Sequence, residues 1–201
     1  VITDRENAGK IEEICSSCPT LQSRLVTDAE LPGWISYTVE QEYPAPVSRK
    51  LVSMTGMERT KATDPLVIYF TSGTTGEPKM VLHNHALPLG HVTTGRFWLD
   101  LTENDLHFTL ADTGWAKSSW GKFFGPWIQG ACILVYDIRG KFKATELLPI
   151  LEKYEVTVFC APPTVYRMLI LADLKKYDLK ELRHCVSAGE PLNPEVIAQV
   201  E

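Results

Sequence analysis

The residues most capable of chemistry stand together at Thr71-Ser72-Gly73-Thr74-Thr75-Gly76-Glu77-Pro78-Lys79, directly after an apolar run ending in Tyr69-Phe70. Gly73 and Gly76 permit positive φ and close backbone approach, so that several N–H groups can converge on one anionic oxygen. Thr71, Ser72, Thr74 and Thr75 add hydroxyl donors and Lys79 adds a cation, which together would make a cradle for a polyphosphate. A polar surface loop has the same composition, and composition alone leaves both readings open. The P-loop pattern is excluded. It needs four residues between Gly and Gly-Lys, whereas two residues separate Gly73 from Gly76, and Pro78 sits just before Lys79.

Three further segments carry candidate groups. Asp112-Thr113-Gly114-Trp115-Ala116-Lys117-Ser118-Ser119-Trp120 follows a predicted strand, and a helix reaching back to Lys117 puts Lys117 and Trp120 on one face at i, i+3. Ala188-Gly189-Glu190-Pro191 stands at the C-terminal end of another predicted strand, where open α/β sheets bind ligands. Ala161 to Leu169 opens with two prolines that stop a strand and start a helix, and Tyr166, Met168 and Leu169 read as packing residues. Trp127, deep in a helical pattern, reads as core, as do Cys132, Cys160 and Cys185 in apolar strands. Cys15 and Cys18 form a lone C-x-x-C without a second pair, and His83, His85 and His91 match no metal spacing, so no metal site is expected.

The segment Thr71 to Lys79 resembles the signature phosphate-binding loop of the adenylate-forming superfamily, which holds acyl-CoA synthetases, luciferases and peptide-synthetase adenylation domains. The Asp112 to Trp115 segment resembles the acetyl- and medium-chain acyl-CoA synthetase branch. The resemblance implies that Thr71 to Lys79 holds the ATP phosphates, with Mg²⁺ accompanying the nucleotide and Lys79 in a catalytic role. It further implies that Gly189, Glu190 and Pro191 lie against adenine, and that Trp115 and its neighbours line the acyl pocket and the coenzyme A approach. Lys117 departs from the small polar residue common there in acetate enzymes, which favours a medium-chain or branched acid. The implied activity is an ATP-dependent, AMP-forming acyl-CoA ligase. The alternatives are an aryl-acid ligase or adenylation domain of the same superfamily, or a non-catalytic nucleotide-binding module. Family elements expected further on, an aromatic-Gly-x-Thr-Glu motif, a ribose-binding Asp and a C-terminal catalytic Lys, are not among these residues. An internal piece of a longer protein, unable alone to complete adenylation, is therefore expected.

Apolar runs alternating with amphipathic ones predict the elements that must position these groups: an α/β, three-layer αβα fold with a mostly parallel sheet. Strands are predicted at Ser23 to Val26, Leu66 to Thr71, Leu106 to Leu110, Cys132 to Tyr136, Val156 to Cys160 and Arg183 to Ser187, with a short one at Met80 to Leu82. Helices are predicted at Arg5 to Cys15, His85 to Leu99, Ser118 to Gln129, Ala144 to Tyr154, Thr164 to Leu171 and from Pro194, with Asn84 as an N-cap. Residues 1–60 read as the end of a first subdomain and a connection, with 61–201 as the subdomain bearing the Gly-rich loop.

The chain of 201 residues is 44% hydrophobic and 22% charged, with a formal charge of -5 and no basic run, so disorder and nucleic-acid binding are not expected. No apolar stretch reaches the ~18 residues of a membrane helix, and no signal-peptide layout opens the chain. Five irregularly spaced cysteines argue against a disulfide framework, and a cytoplasmic location follows as the expectation.

Overall fold

A computed structural model describes residues 1–37, 59–71, 76–138 and 143–200. The chain divides into two units, Val1–Glu58 and Arg59–Glu201. In the first, β1 (Ile2–Thr3) leads into α1 (Arg5–Cys15), which starts where Asp4 Oδ1 accepts the Asn7 N–H at 2.8 Å, an N-cap. β2 (Leu25–Val26) pairs parallel with β1, and β3 (Ile35–Ser36) extends the sheet in parallel. β3 falls within residues 1–60, where no strand is predicted after Val26. Its two residues are too few for a period to show.

The second unit opens with an antiparallel hairpin of β4 (Pro65–Thr71) and β5 (Lys79–Asn84), in which Thr71 faces Lys79. The helix expected over His85 to Leu99 is broken. Begun at His85, it would require an N–H from Pro88 to bond Asn84, and proline has none. Instead Asn84 Oδ1 accepts the Ala86 N–H at 3.1 Å in a turn, and α2 (Leu87–Gly90) holds Pro88 in its first turn. A π-helical segment, Thr94–Trp98, follows.

The main sheet has four parallel strands in the order β7-β6-β8-β9: β6 (Leu106–Thr109), β7 (Cys132–Ile133), β8 (Val158–Cys160) and β9 (His184–Val186). Side chains alternate across it. Phe108 and Phe159 point to one face, into a core with Leu147, Leu148 and Leu151 around α4 (Leu148–Lys153), Val165, Tyr166 and Leu169 of α5 (Pro163–Leu169) and Val196 of α6 (Pro194–Val200). Val158, Cys160 and Val186 point to the other, with Leu99, Leu101 and Ala131. Pro194 opens α6 as expected.

Between β6 and β7 runs a second π-helical segment, Ser118–Phe124, continued by α3 (Gly125–Ile128). Its wide turn lets the Gly121 carbonyl accept Thr109 Oγ1 at 2.9 Å, and His107 Nε2 lies 3.0 Å from the same oxygen. The extra residue also shifts the helical phase, so Trp127, expected in the core, is 60% exposed and leans on Phe123 with ring centroids 5.4 Å apart. The first π segment meets α3 at bare backbone, where a Cβ on Gly95 would stand 2.7 Å from the Gly125 carbonyl oxygen. Gly125 is crowded by the helix that leads into it, and a Cβ there would stand 2.8 Å from the Trp120 carbonyl oxygen. Cys132 is exposed on an outer strand and Cys185 is half-buried, so of the three strand cysteines only Cys160 meets the core expectation.

Beneath the sheet, Asp105 joins the strands at their N-terminal ends. Its carboxylate is 4% exposed and accepts Arg183 Nε at 2.9 Å and Nη2 at 2.8 Å, Thr157 Oγ1 at 2.7 Å, and the Thr102 N–H and Oγ1 at 2.7 and 2.9 Å. Burial alone would push this carboxyl up, but the bonds from Arg183, Thr157 and Thr102 outweigh it and hold it well below the usual carboxylate range. Among the described residues no helix is long and apolar enough to cross a membrane.

Candidate active site

Because β6, β8 and β9 are parallel, their C-terminal ends share one edge, and the segments after them meet there. After β6, the Gly114 N–H bonds Asp112 Oδ1 at 2.7 Å and the Trp115 N–H bonds the Asp112 carbonyl at 3.0 Å, a turn that presents Trp115 half out of the protein. After β8, Pro162 and Pro163 end the strand and launch α5. After β9, Gly189 takes φ +100°, a backbone state that favours glycine, and carries the chain into Glu190 and Pro191.

These three segments enclose a hollow of about 530 Å³. Its walls are Trp115 and Lys117 from the first, Pro162, Thr164, Val165 and Met168 from the second, and Ala188, Gly189 and Glu190 from the third. Two motifs singled out separately in the sequence thus form opposite sides of one site. The Lys117 Nζ is sealed from solvent, makes no hydrogen bond of ordinary geometry, and has the Cys160 thiol as a neighbour. Glu190 accepts Thr164 Oγ1 at 2.9 and 2.8 Å and Arg167 Nη1 at 3.0 Å, and these bonds, Thr164 first, hold its carboxyl below the ordinary value. The hollow offers one carboxylate and largely apolar walls, with Lys117 in the lining but its ammonium covered, a lining suited to a flat or apolar ligand with polar edges.

Trp120 does not join Lys117 in the hollow. Its ring stacks on His91, with centroids 5.6 Å apart and planes at 13°, and tilts against Trp98 at 5.6 Å. The i, i+3 face sharing expected of an α-helix fails because the π segment begins at Ser118. Met168, expected to pack, is 43% exposed and forms part of the wall, whereas Tyr166 and Leu169 are buried as expected. Thr164 and Arg167 escaped the sequence reading as site residues. Their i, i+3 spacing on α5 was a faint signal that the two act together.

Of the Gly-rich segment, Ser72, Gly73, Thr74 and Thr75 lie outside the described residues. Thr71 and Lys79 are cross-strand partners, so the two ends of the segment are held side by side, with Lys79 exposed as the first residue of β5. Gly76 has φ +101°, a Cβ placed on it would meet no atom within 4 Å, and Glu77 and Pro78 are exposed.

The family model described as "AMP-binding enzyme" matches residues 1–201. This chain belongs to the AMP-binding enzyme family. Among curated members it is 43% identical over 201 residues to the mouse protein named acyl-coenzyme A synthetase ACSM3, mitochondrial, and 41% identical over 201 residues to the rat protein named acyl-coenzyme A synthetase ACSM4, mitochondrial. Each match covers 99% of this chain and 33% of the relative, so the chain spans about one third of the length of these curated relatives. Among solved structures it resembles the anthranilate CoA ligase AuaEII in complex with anthranoyl-AMP, with TM-score 0.77 and 28% identity over 98% of this chain and 37% of that one. It also resembles the Brucella canis acyl-CoA synthetase, with TM-score 0.72 and 30% identity over 98% of this chain and 35% of that one. The expectation of a cytoplasmic protein is overturned by the relatives, which are named as mitochondrial. Irregular cysteines argue against an oxidising compartment but do not tell one reducing compartment from another.

Proposed function

We propose that the protein is an ATP-dependent, AMP-forming acid–thiol ligase that joins a medium-chain or branched carboxylic acid to coenzyme A, and that it works in the mitochondrion. The observation that carries this reading is the hollow in which Trp115 and Lys117 face Gly189 and Glu190. In this reading the nucleotide base lies along residues 188–191 and the phosphates reach the 71–79 segment. Trp115 and Lys117 line the acyl end and the coenzyme A approach, with Trp120 behind them. A carboxylate oxygen attacks the α-phosphorus, the new C–O–P bond forms, and the bond to the bridging oxygen breaks to release pyrophosphate. The coenzyme A sulfur then attacks the acyl carbon and AMP leaves. Backbone N–H groups, the hydroxyls of Thr71, Ser72, Thr74 and Thr75, and the Lys79 ammonium oppose the charge gathering on the leaving pyrophosphate, where fixed donors lower a barrier most.

Among the described residues no group of three or more His, Cys, Asp or Glu could hold a metal ion. In this reading Mg²⁺ arrives on the nucleotide, since Mg²⁺ commonly binds through substrate phosphates and one or two carboxylates and not through a dedicated protein cage. Bound there, it would neutralise phosphate charge. The names of the curated relatives support both the ligase reaction and the mitochondrion. An aryl acid is the second reading, favoured by the likeness to an anthranilate CoA ligase.

The test is to incubate the whole protein with ATP, Mg²⁺, coenzyme A and a panel of short, medium, branched and aromatic acids. AMP, pyrophosphate and the acyl-CoA should appear in equal amounts and only when acid is present. Formation of ADP, or AMP release indifferent to the acid, would remove the proposal.

A further inference from the structure

The turn at 188–191 has few means of holding its own shape. A Cβ at Gly189 would meet nothing within 4 Å, Glu190 is exposed, and Pro191 has no N–H to donate. The turn is fastened instead from α5. Arg167 donates Nη1 to Glu190 Oε2 at 3.0 Å and Nη2 to the Pro191 carbonyl at 2.7 Å, gripping a side chain and the backbone beyond it with one guanidinium. Thr164, one turn earlier on the same face, donates to both oxygens of Glu190. α5 is a firm anchor: Val165, Tyr166 and Leu169 are buried, and the Tyr166 hydroxyl donates to the carbonyls of Phe159 at 3.0 Å and Val186 at 3.1 Å, tying it to β8 and β9.

Stability does not account for this arrangement. The Arg167 and Glu190 side chains are 39% and 42% exposed, and ion pairs that wet contribute little to folding. What two bonds from a planar fork do supply is direction. We propose that Arg167 is a positioning residue that holds the 188–191 turn in the geometry needed to receive the nucleotide. This rests on the reading above in which that turn faces the nucleotide base.

The experiment measures ATP affinity by calorimetry, steady-state kinetics and thermal unfolding in the whole protein and in Arg167→Met, which keeps the apolar stem and loses the fork. The expected result is an ATP Kd and a KM for ATP about tenfold higher, less than the loss of two full charge-assisted bonds because water replaces part of an exposed pair, while the KM for the acid and the melting temperature stay near wild type. Arg167→Lys, which can reach one acceptor but not both, should recover the affinity only in part. Glu190→Gln combined with Arg167→Met should be little worse than Arg167→Met alone, because the two act through one connection. Unchanged ATP affinity in Arg167→Met overturns the inference and leaves the ligase reaction standing. A parallel loss of ATP affinity, acid affinity and melting temperature also overturns it, since that is general damage. If the wild type binds ATP but makes no acyl-CoA, the reaction falls while the tether is still decided by the nucleotide affinities.

Discussion

Replacing Asp105 with asparagine keeps the shape of the side chain and removes the charge that joins three strands at their base. The carboxylate accepts from Arg183 Nε and Nη2, Thr157 Oγ1, and the Thr102 N–H and Oγ1. An amide nitrogen at the Oδ2 position would face the Thr102 N–H and Arg183 Nη2, donor against donor. Two charge-assisted bonds lost at about 1.5–3 kcal/mol each set the upper range. Arg183 is 39% exposed and keeps its bond to Asp100 Oδ2 at 2.8 Å, so water and Asp100 recover part of the loss. The net expectation is about 3 kcal/mol of lost stability at pH 7. Because the folded carboxyl is held below its unfolded value of about 3.9, its contribution is complete above that value and is lost as the pH falls toward the folded pKa. Urea unfolding of wild type and Asp105→Asn should therefore differ by about 3 kcal/mol at pH 7 and progressively less below pH ~4. A gap under ~0.5 kcal/mol at pH 7, or one unchanged in acid, would refute the account of Asp105 as the charged keystone of the sheet.

Three other expectations follow from the same structure. Gly95→Ala should cost about 3 kcal/mol and Gly125→Ala a similar amount, because each new methyl meets backbone oxygen that cannot move aside, and thermal melts would show it. His107 is buried and neutral, its pKa pulled from 6.5 to about 4 by burial, so up to about 3 kcal/mol of stability should be present above pH 6.5 and lost as the pH falls toward 4. In His107→Gln the unfolding midpoint should lose this slope between those two pH values. Lys79→Ala should weaken ATP binding about tenfold or more while leaving the urea midpoint within ~0.5 kcal/mol, since the side chain is exposed at a strand end.

Much of the strand and helix order was legible because it rests on strong local signals. α1 spans the predicted Arg5 to Cys15, where a capping Asp4 precedes the amphipathic run, and β6, β8 and β9 lie inside their predicted limits as short apolar runs. Pairing was not legible. Nothing in the alternation of β4 and β5 says that they turn back on each other rather than join the parallel sheet, because hydrophobic period reports burial and not the neighbouring strand. The broken helix after Asn84 was readable in principle from Pro88, but the apolar pattern on both sides masked it. At the candidate site, the chemistry of Trp115, Lys117, Gly189 and Glu190 was visible in their types. Their convergence depends on strand order, and the grip of Arg167 on the turn depends on side-chain reach, neither of which leaves a mark in one sequence.

The widened helical turn over Ser118–Phe124 takes up one residue more than an α-helix of the same span would hold. A single residue removed there, with the segment tightening to an ordinary α-helix, would leave Trp115 and Lys117 nearly in phase with α3. An added residue has no such slack to use up. At about 100° per residue, it would swing Trp115 and Lys117 out of the hollow while α3 kept its place on Gly95. Shortening and lengthening this stretch are therefore unequal changes, and only the second re-aims the entrance.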